Sequence, residues 1–130
     1  MDGKGNVKGG SAAFDLPVSF PRRIGDAEGV TSPEELMAAA HAACYAMALN
    51  GFVGRKGGAI DKTTITCVIT ADKGDAGITI TKSALSLTAE GLTGIDEAGF
   101  REAAETAKNS CPVSKAYAAS MAVTLDVKVV

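Results

Sequence analysis

The sequence has little net charge and no long uninterrupted apolar run. Thirteen basic and fifteen acidic side chains give a formal charge of −2, with a pI near 5.3. This balance argues against nucleic acid or an anionic membrane as the main partner. No uninterrupted apolar run of about 18 residues is evident, and the polar, glycine-rich start MDGKGNVKGG is unlike a signal peptide. We therefore expect a cytoplasmic protein.

Residues that bind metals or form disulfides are also scarce. The chain has three cysteines and one histidine, and no CxxC pair. In a reducing compartment, an odd number of cysteines indicates free, catalytic or metal-bound thiols rather than structural bridges. His41 and Cys44 share a predicted helix face and could form a Cys2His metal site with Cys111, but no second histidine supports it. We therefore expect no metal, and a hydrogen-bonded structural role for His41.

Length and apolar patterning predict a single α+β domain over residues 1–130. This length suffices for one core. The apolar residues alternate in four segments that we interpret as strands, at 14–20, 61–71, 78–89 and 121–129. Helices are predicted at 31–50, 96–110 and 112–119, while the start of the chain is interpreted as loose and 21–30 as a loop. Strands and helices come in separate runs, which favours a largely antiparallel sheet with helices on one face. A switch of apolar phase between Ile80 and Leu85 predicts a bulge, or burial on both faces.

The predicted helix at 31–50 carries one thiol among small residues. Ser32 is a favourable N-cap, and Glu35 three residues later completes the pattern of a capping box. At about 100° per residue, the buried stripe is expected to contain Leu36, Ala40, Ala43 and Met47. Cys44 lies at the edge of that stripe. The surrounding alanines would let another helix pack closely against this one.

The three cysteines have different sequence surroundings. Cys67 lies in the middle of a predicted strand, between two isoleucines, and is interpreted as a core residue. Cys111 precedes a proline at the start of a helix, where unpaired N–H groups lower a thiol pKa, so it is either reactive or a simple cap. Cys44 is three turns into its helix and is either a core residue or a nucleophile. Its activation would require a cation from outside the helix.

Two segments carry a resemblance to a known family. TSPEELMAAAHAACYAMAL, followed later by CPVSKAY, resembles the OsmC branch (osmotically inducible protein C) of the OsmC/Ohr family of organic hydroperoxide reductases. The GKG near the start, the arginine-containing loop and the final strand follow the order of that family. Members usually carry a further strand before the GKG, and we expect that strand to be missing here.

The resemblance implies a role for four residues. The cysteine of HAAC, Cys44, is the expected peroxidatic thiol, and the cysteine of CPVSK, Cys111, is the expected resolving thiol. Glu34 is expected to pair with an arginine of the preceding loop that activates the peroxidatic thiolate. Arg23 fits that position best, and Arg22 is the alternative.

The resemblance also implies an assembly and a chemistry. We expect an OsmC-like intertwined homodimer that reduces organic hydroperoxides through a Cys44–Cys111 disulfide, using an external dithiol reductant and no cofactor. The rise of about 15 Å along the helix from Glu34 to Cys44 excludes direct contact within that helix. Either the arginine spans part of this distance and Glu34 contacts only its side away from Cys44, or Glu34 contributes to the active site of the partner subunit. A non-enzymatic dimeric binder of a small apolar molecule and a thiol redox sensor remain alternative functions.

Overall fold

The computed structural model describes residues 3–130, which divide between two compact units, one ending at Met37 and one covering Ala38–Val130. In chain order the elements are β1 (Lys4–Lys8), β2 (Asp15–Ser19), α1 (Phe20–Ile24), α2 (Pro33–Arg55), β3 (Lys62–Gly74), β4 (Gly77–Glu90), α3 (Glu97–Ser110), α4 (Pro112–Ala118) and β5 (Ala122–Val129). Helix α2 begins in the first unit and ends in the second.

The first unit is built on a β-hairpin. Strands β1 and β2 pair antiparallel, with Lys4 opposite Ser19. The interpretation of the chain start as loose was therefore wrong, because a glycine-rich polar strand lacks the apolar alternation that identifies a strand. The interpretation of 21–30 as a loop was also wrong at its beginning, where α1 forms. Pro21 is in the first turn of α1, where its missing N–H has no intrahelical partner to lose.

The second unit contains a three-stranded sheet in the order β3-β4-β5. Strands β3 and β4 form a long antiparallel hairpin, whereas β5 runs parallel to β4 because α3 and α4 lie between them in the chain and form the crossover. The predicted α+β class is confirmed, with a mixed sheet. In the hairpin Thr70 pairs with Lys82 but Ala71 pairs with Ile80, so Thr81 is the extra residue of the predicted bulge.

Helix α2 begins at the predicted cap but buries a different face. The Glu35 N–H donates to Ser32 Oγ over 3.1 Å, while the Glu35 carboxylate accepts from the Thr31 hydroxyl. The buried residues follow an i, i+4 series, namely His41, Tyr45, Leu49 and Val53. The predicted stripe was wrong: Ala40 and Ala43 are exposed, and Met47 is 75% exposed. Burying tyrosine, leucine and valine removes more apolar surface from water than burying alanines.

The core of the second unit lies between the sheet and its helices. The fully or almost fully buried members are Tyr45, Leu49, Val53, Leu85, Leu87, Ala89, Phe100, Ala103, Ala104 and Ala107. The apolar stripe of α3 supplies four of them, and Asp96 caps that helix by accepting from the Gly99 N–H. Helices on one face of the sheet are thus confirmed for this unit, and Cys67 packs at the edge of the core.

Helix α2 is long and apolar enough to span a membrane by length and composition, the one such helix within residues 3–130. The expectation from the sequence holds only for an uninterrupted apolar run, because the glycine, asparagine and histidine within the helix interrupt such a run without lowering its mean hydropathy enough. The core helix of a soluble protein passes the same test. In this chain the helix packs His41, Tyr45, Leu49 and Val53 inward.

Candidate active site

The two cysteines of the HAAC and CPVSK segments meet in the second unit. Cys44 is half-buried on α2, and Cys111 is fully buried between the end of α3 and the start of α4. Their sulfur atoms lie 3.1 Å apart, and both thiols are free. Because a disulfide bond is about 2.05 Å long, a small movement would join the two sulfurs. At the observed distance they can also share one proton.

The two thiols differ in acidity. Burial acts to raise the pKa of Cys111, but the N–H groups of Ser114 and Val113, the Cys44 thiol and the Ser114 hydroxyl outweigh it and lower that pKa. The pKa of Cys44 is raised by its hydrogen bond with Cys111 and by burial. Within the pair, Cys111 is therefore the more acidic thiol, and Cys44 would need a cation to become the thiolate.

The first unit holds an arginine–glutamate pair. Arg23 Nε donates to both carboxylate oxygens of Glu34, at 3.0 and 3.2 Å, and Arg23 Nη2 donates to Oε1 at 2.6 Å. These hydrogen bonds raise the pKa of Arg23 and lower that of Glu34. Arg22 instead forms an ion pair with Glu28. Of the two arginines that the sequence left open, Arg23 is the one that contacts Glu34.

His41 is fully buried in the second unit and is hydrogen-bonded at both ring nitrogens. Nδ1 lies 2.6 Å from Ser83 Oγ on β4, and Nε2 lies 2.6 Å from Ser114 Oγ on α4. Burial lowers the pKa of His41, so the ring is neutral at pH 7. Within residues 3–130 no three His, Cys, Asp or Glu side chains come close enough together to hold a metal ion.

Neither Ser83 nor Ser114 was among the residues predicted from the sequence. Ser83 occupies the same phase of β4 as Leu85, Leu87 and Ala89, so a polar residue on a buried strand face was the available signal. Ser114 stands three residues after Cys111, which is the N3 position of α4. That spacing places a side chain next to the cap.

The chain is similar in sequence to a known family and to two of its named relatives. A family model described as "OsmC-like protein" matches residues 25–126, a range that includes Glu34, Cys44 and Cys111 but begins after Arg23. The chain is 40% identical over 125 residues to Peroxiredoxin OsmC of Escherichia coli (strain K12), covering 95% of this chain and 85% of that protein. It is 30% identical over 129 residues to the organic hydroperoxide resistance protein-like 2 of Staphylococcus saprophyticus, covering 96% and 87%.

Solved structures share the fold. The organic hydroperoxide resistance protein OhrB of Bacillus subtilis matches with a TM-score of 0.74 at 23% identity, covering 98% of each chain. An OsmC-like protein of Mycoplasma pneumoniae matches with a TM-score of 0.75 at 13% identity, covering 100% of this chain and 97% of that one. At these identities the likeness establishes the fold alone.

Proposed function

Because the chain belongs to the OsmC-like protein family, we propose that it is a thiol-dependent peroxidase that reduces organic hydroperoxides and, less efficiently, hydrogen peroxide. Its relatives named peroxiredoxin and organic hydroperoxide resistance protein support a peroxide-detoxifying redox function. The single observation that carries the proposal is the 3.1 Å separation of the Cys44 and Cys111 sulfur atoms. Two free thiols at this distance can supply both electrons that reduction of one peroxide requires.

The first step is oxidation of Cys44. Its thiolate attacks the distal oxygen of the hydroperoxide, so that a sulfur–oxygen bond forms as the oxygen–oxygen bond breaks. The alkoxide takes up a proton and leaves as the alcohol, and Cys44 is left as the sulfenic acid. The sulfur has lost two electrons and the peroxide has gained them.

The second step forms the disulfide. The Cys111 thiolate attacks the Cys44 sulfur, and hydroxide leaves as water after taking up a proton. The lowered pKa of Cys111 favours the nucleophilic form needed here. An external dithiol then reduces the Cys44–Cys111 disulfide by thiol–disulfide exchange, so we propose that the reaction needs no bound cofactor.

Activation of Cys44 requires a cation, because its neighbour raises its pKa. We assign this task to the Arg23 guanidinium, in the same chain or from a partner subunit. Two points support this assignment. Arg23 Nε and Nη2 both donate to the Glu34 carboxylate, which fixes the arginine side chain. The family resemblance also implies an activating arginine that pairs with Glu34. An opposite charge close to a thiol favours the thiolate.

The proposed enzyme is a cytoplasmic homodimer. Helix α2 leaves an exposed face of Ala40, Ala43 and Met47, which a second copy of the chain would cover. Three free cysteines among the described residues are compatible with a reducing compartment.

Steady-state consumption of an alkyl hydroperoxide, with a dithiol and then with a monothiol as reductant, tests the function. We expect sustained turnover with the dithiol, slower turnover with the monothiol, and slower consumption of hydrogen peroxide than of the alkyl hydroperoxide. Loss of two free thiols per chain without turnover would identify a redox sensor instead. Binding of the hydroperoxide without any loss of thiols would identify a non-enzymatic binder.

A further inference from the structure

A line of polar side chains connects the site of Cys111 with the third thiol, Cys67. Cys67 Sγ on β3 lies 3.2 Å from Ser83 Oγ on β4. Ser83 Oγ lies 2.6 Å from His41 Nδ1, and His41 Nε2 lies 2.6 Å from Ser114 Oγ. His41 and Ser83 are fully buried and Ser114 is 3% exposed. The line lies wholly within the second unit and joins four of its elements.

The last link reaches Cys111 through local helix geometry. Cys111 is the N-cap of α4 and Ser114 is its N3 residue, so both residues belong to the first turn of the helix. The Ser114 hydroxyl stabilises the Cys111 thiolate and contributes to the lowered pKa of that thiol. It can do so only when its proton is directed at the sulfur rather than at His41.

The tautomer of His41 decides that direction. A neutral imidazole has one donor and one acceptor nitrogen. If Nε2 carries the proton, it donates to Ser114 Oγ and leaves the Ser114 hydroxyl proton free to turn toward Cys111. If Nδ1 carries the proton, Nε2 must accept from Ser114, and that hydroxyl proton is withdrawn from Cys111.

Either atom of the Cys67–Ser83 contact could be the donor, and donation by Cys67 would select one tautomer of His41. Burial raises the pKa of Cys67, more than the Ser83 hydrogen bond lowers it, so the group remains a thiol and has a proton to donate. It can donate to Ser83 Oγ, which turns the Ser83 hydroxyl proton toward Nδ1, or directly to Nδ1 at 3.8 Å. Both routes make Nδ1 the acceptor, and the proton of the ring is then on Nε2.

We infer that Cys67, Ser83 and His41 are positioning residues, which hold the Ser114 hydroxyl toward Cys111 and so prepare the resolving thiol to ionise. The inference rests on the proposed function only in giving Cys111 its resolving role. Two further titratable groups near the line, Tyr45 and Tyr117, stay neutral at pH 7. Burial raises the pKa of Tyr45, whose hydroxyl donates to the Ala104 carbonyl, and also that of Tyr117, whose ring lies edge-on to His41. Cys44 contacts Cys111 directly and must be removed from the measurement.

Two proteins with one thiol each provide the test. Cys44→Ser combined with Cys67→Ala removes the donor at the end of the line, whereas Cys44→Ser combined with Cys67→Ser retains a hydroxyl donor. Cys111 is the only thiol in both, so ultraviolet thiolate absorbance against pH reports its pKa alone. We expect that pKa to be higher in the alanine protein by about one pH unit, the equivalent of one hydrogen bond to a charged group.

Further variants in the Cys44→Ser, Cys67→Ser background locate the effect. Ser83→Ala should raise the Cys111 pKa as Cys67→Ala does, and Ser114→Ala should raise it at least as much. Ser86→Ala, on the exposed face of the same strand, β4, is the matched control and should leave it unchanged. Circular dichroism and thermal unfolding check that each variant is folded, and Ser83→Ala replaces Cys67→Ala as the test if the latter does not fold.

Equal Cys111 titrations in the Cys67→Ala and Cys67→Ser proteins would overturn the inference, even if Ser114→Ala shifts the pKa, because Ser114 would then act alone. The titration needs no turnover. A wild-type protein without peroxidase activity, but with the expected shift, would refute only the proposed function. Normal turnover without the shift would refute only the positioning role.

Discussion

Cys44 and Cys111 are 3.1 Å apart, but their pKa values move in opposite directions, and only one of the two can attack the peroxide first. We predict that Cys44→Ser abolishes peroxide consumption. Cys111→Ser should reduce one equivalent per chain and then stop as the sulfenic acid, since no second thiol resolves it. The measurements are peroxide consumed per chain and the mass of the product.

Cys67→Ser is the control for these two variants, because it retains a donor toward Ser83 and should turn over at nearly the wild-type rate. A first turnover in Cys44→Ser, with none in Cys111→Ser, would show that the peroxidatic and resolving roles are reversed. The acidity of the two thiols alone would favour Cys111 as the attacking thiol, so this outcome directly tests the assignment of Cys44 as the peroxidatic residue.

Arg23 carries the second prediction at the scale of residues. An ionised partner within about 4 Å shifts a pKa by roughly one to three units, and each unit is about tenfold in thiolate fraction. We therefore predict that Arg23→Ala raises the Cys44 pKa and slows peroxide attack at least tenfold. Arg23→Lys should restore only part of the rate, because a point charge lacks the fork that engages Glu34. Stopped-flow oxidation against pH measures both quantities.

Arg22→Ala provides the matched comparison, because that guanidinium pairs with Glu28. It should leave the Cys44 pKa unchanged. Glu34→Ala should slow oxidation less than Arg23→Ala, since it removes the orienting group and keeps the charge. If neither arginine changes the pKa, the cation is supplied elsewhere and the activation scheme is wrong.

His41 yields a prediction about pH. Burial lowers its pKa, so the unfolded chain binds a proton below the ordinary histidine pKa of about 6.5 while the folded chain does not. Stability should consequently be fully present above that pH and decrease as the pH falls toward the folded-state pKa. The chain has one histidine, so its ring protons in an NMR titration report it directly. A midpoint at or above the ordinary value would contradict a buried neutral ring.

At the scale of elements, the start of α2 depends on one side chain. The Ser32 hydroxyl accepts from the Glu35 N–H, and replacing such a cap by alanine costs about 1 kcal/mol. We predict that Ser32→Ala lowers the free energy of unfolding by about that amount in urea. Ser120→Ala, in an exposed turn, is the control and should be close to neutral. An unchanged midpoint for Ser32→Ala would mean that packing alone fixes the start of the helix.

At the scale of the whole molecule, the exposed apolar face of α2 predicts a homodimer in dilute solution. Ala40, Ala43 and Met47 leave this face without large polar groups, and exposed apolar surface of this kind favours association. Sedimentation should give a dimer at micromolar concentration, and Met47→Glu should shift it toward monomer. Ala98→Glu, on the exposed side of α3, should not. A wild-type monomer would refute the assembly.

Local chemistry in the sequence determined most of the elements. Apolar alternation located β5 and both strands of the long hairpin, and the cap Ser32 located the start of α2. These signals depend only on residues close together in the chain, so they can be recognised without knowing the tertiary structure. Strand β1 and helix α1 were not predicted. The sequence of β1 is polar and glycine-rich, and the strand is identified only by its pairing with β2. The sequence of α1 is short and contains a proline, and its helical turn is visible only in the structure.

The sequence by itself also determined the family, and it singled out Cys44 and Cys111 as the proposed redox pair, because HAAC and CPVSK are local motifs. Only the tertiary structure decided which face of α2 is buried, since an alanine-rich helix offers several apolar faces and its partners select one. The structure likewise placed Arg23 rather than Arg22 against Glu34, and joined His41 to serines far away in the chain. Contacts between residues distant in sequence depend on the packing of whole elements, which no single segment encodes.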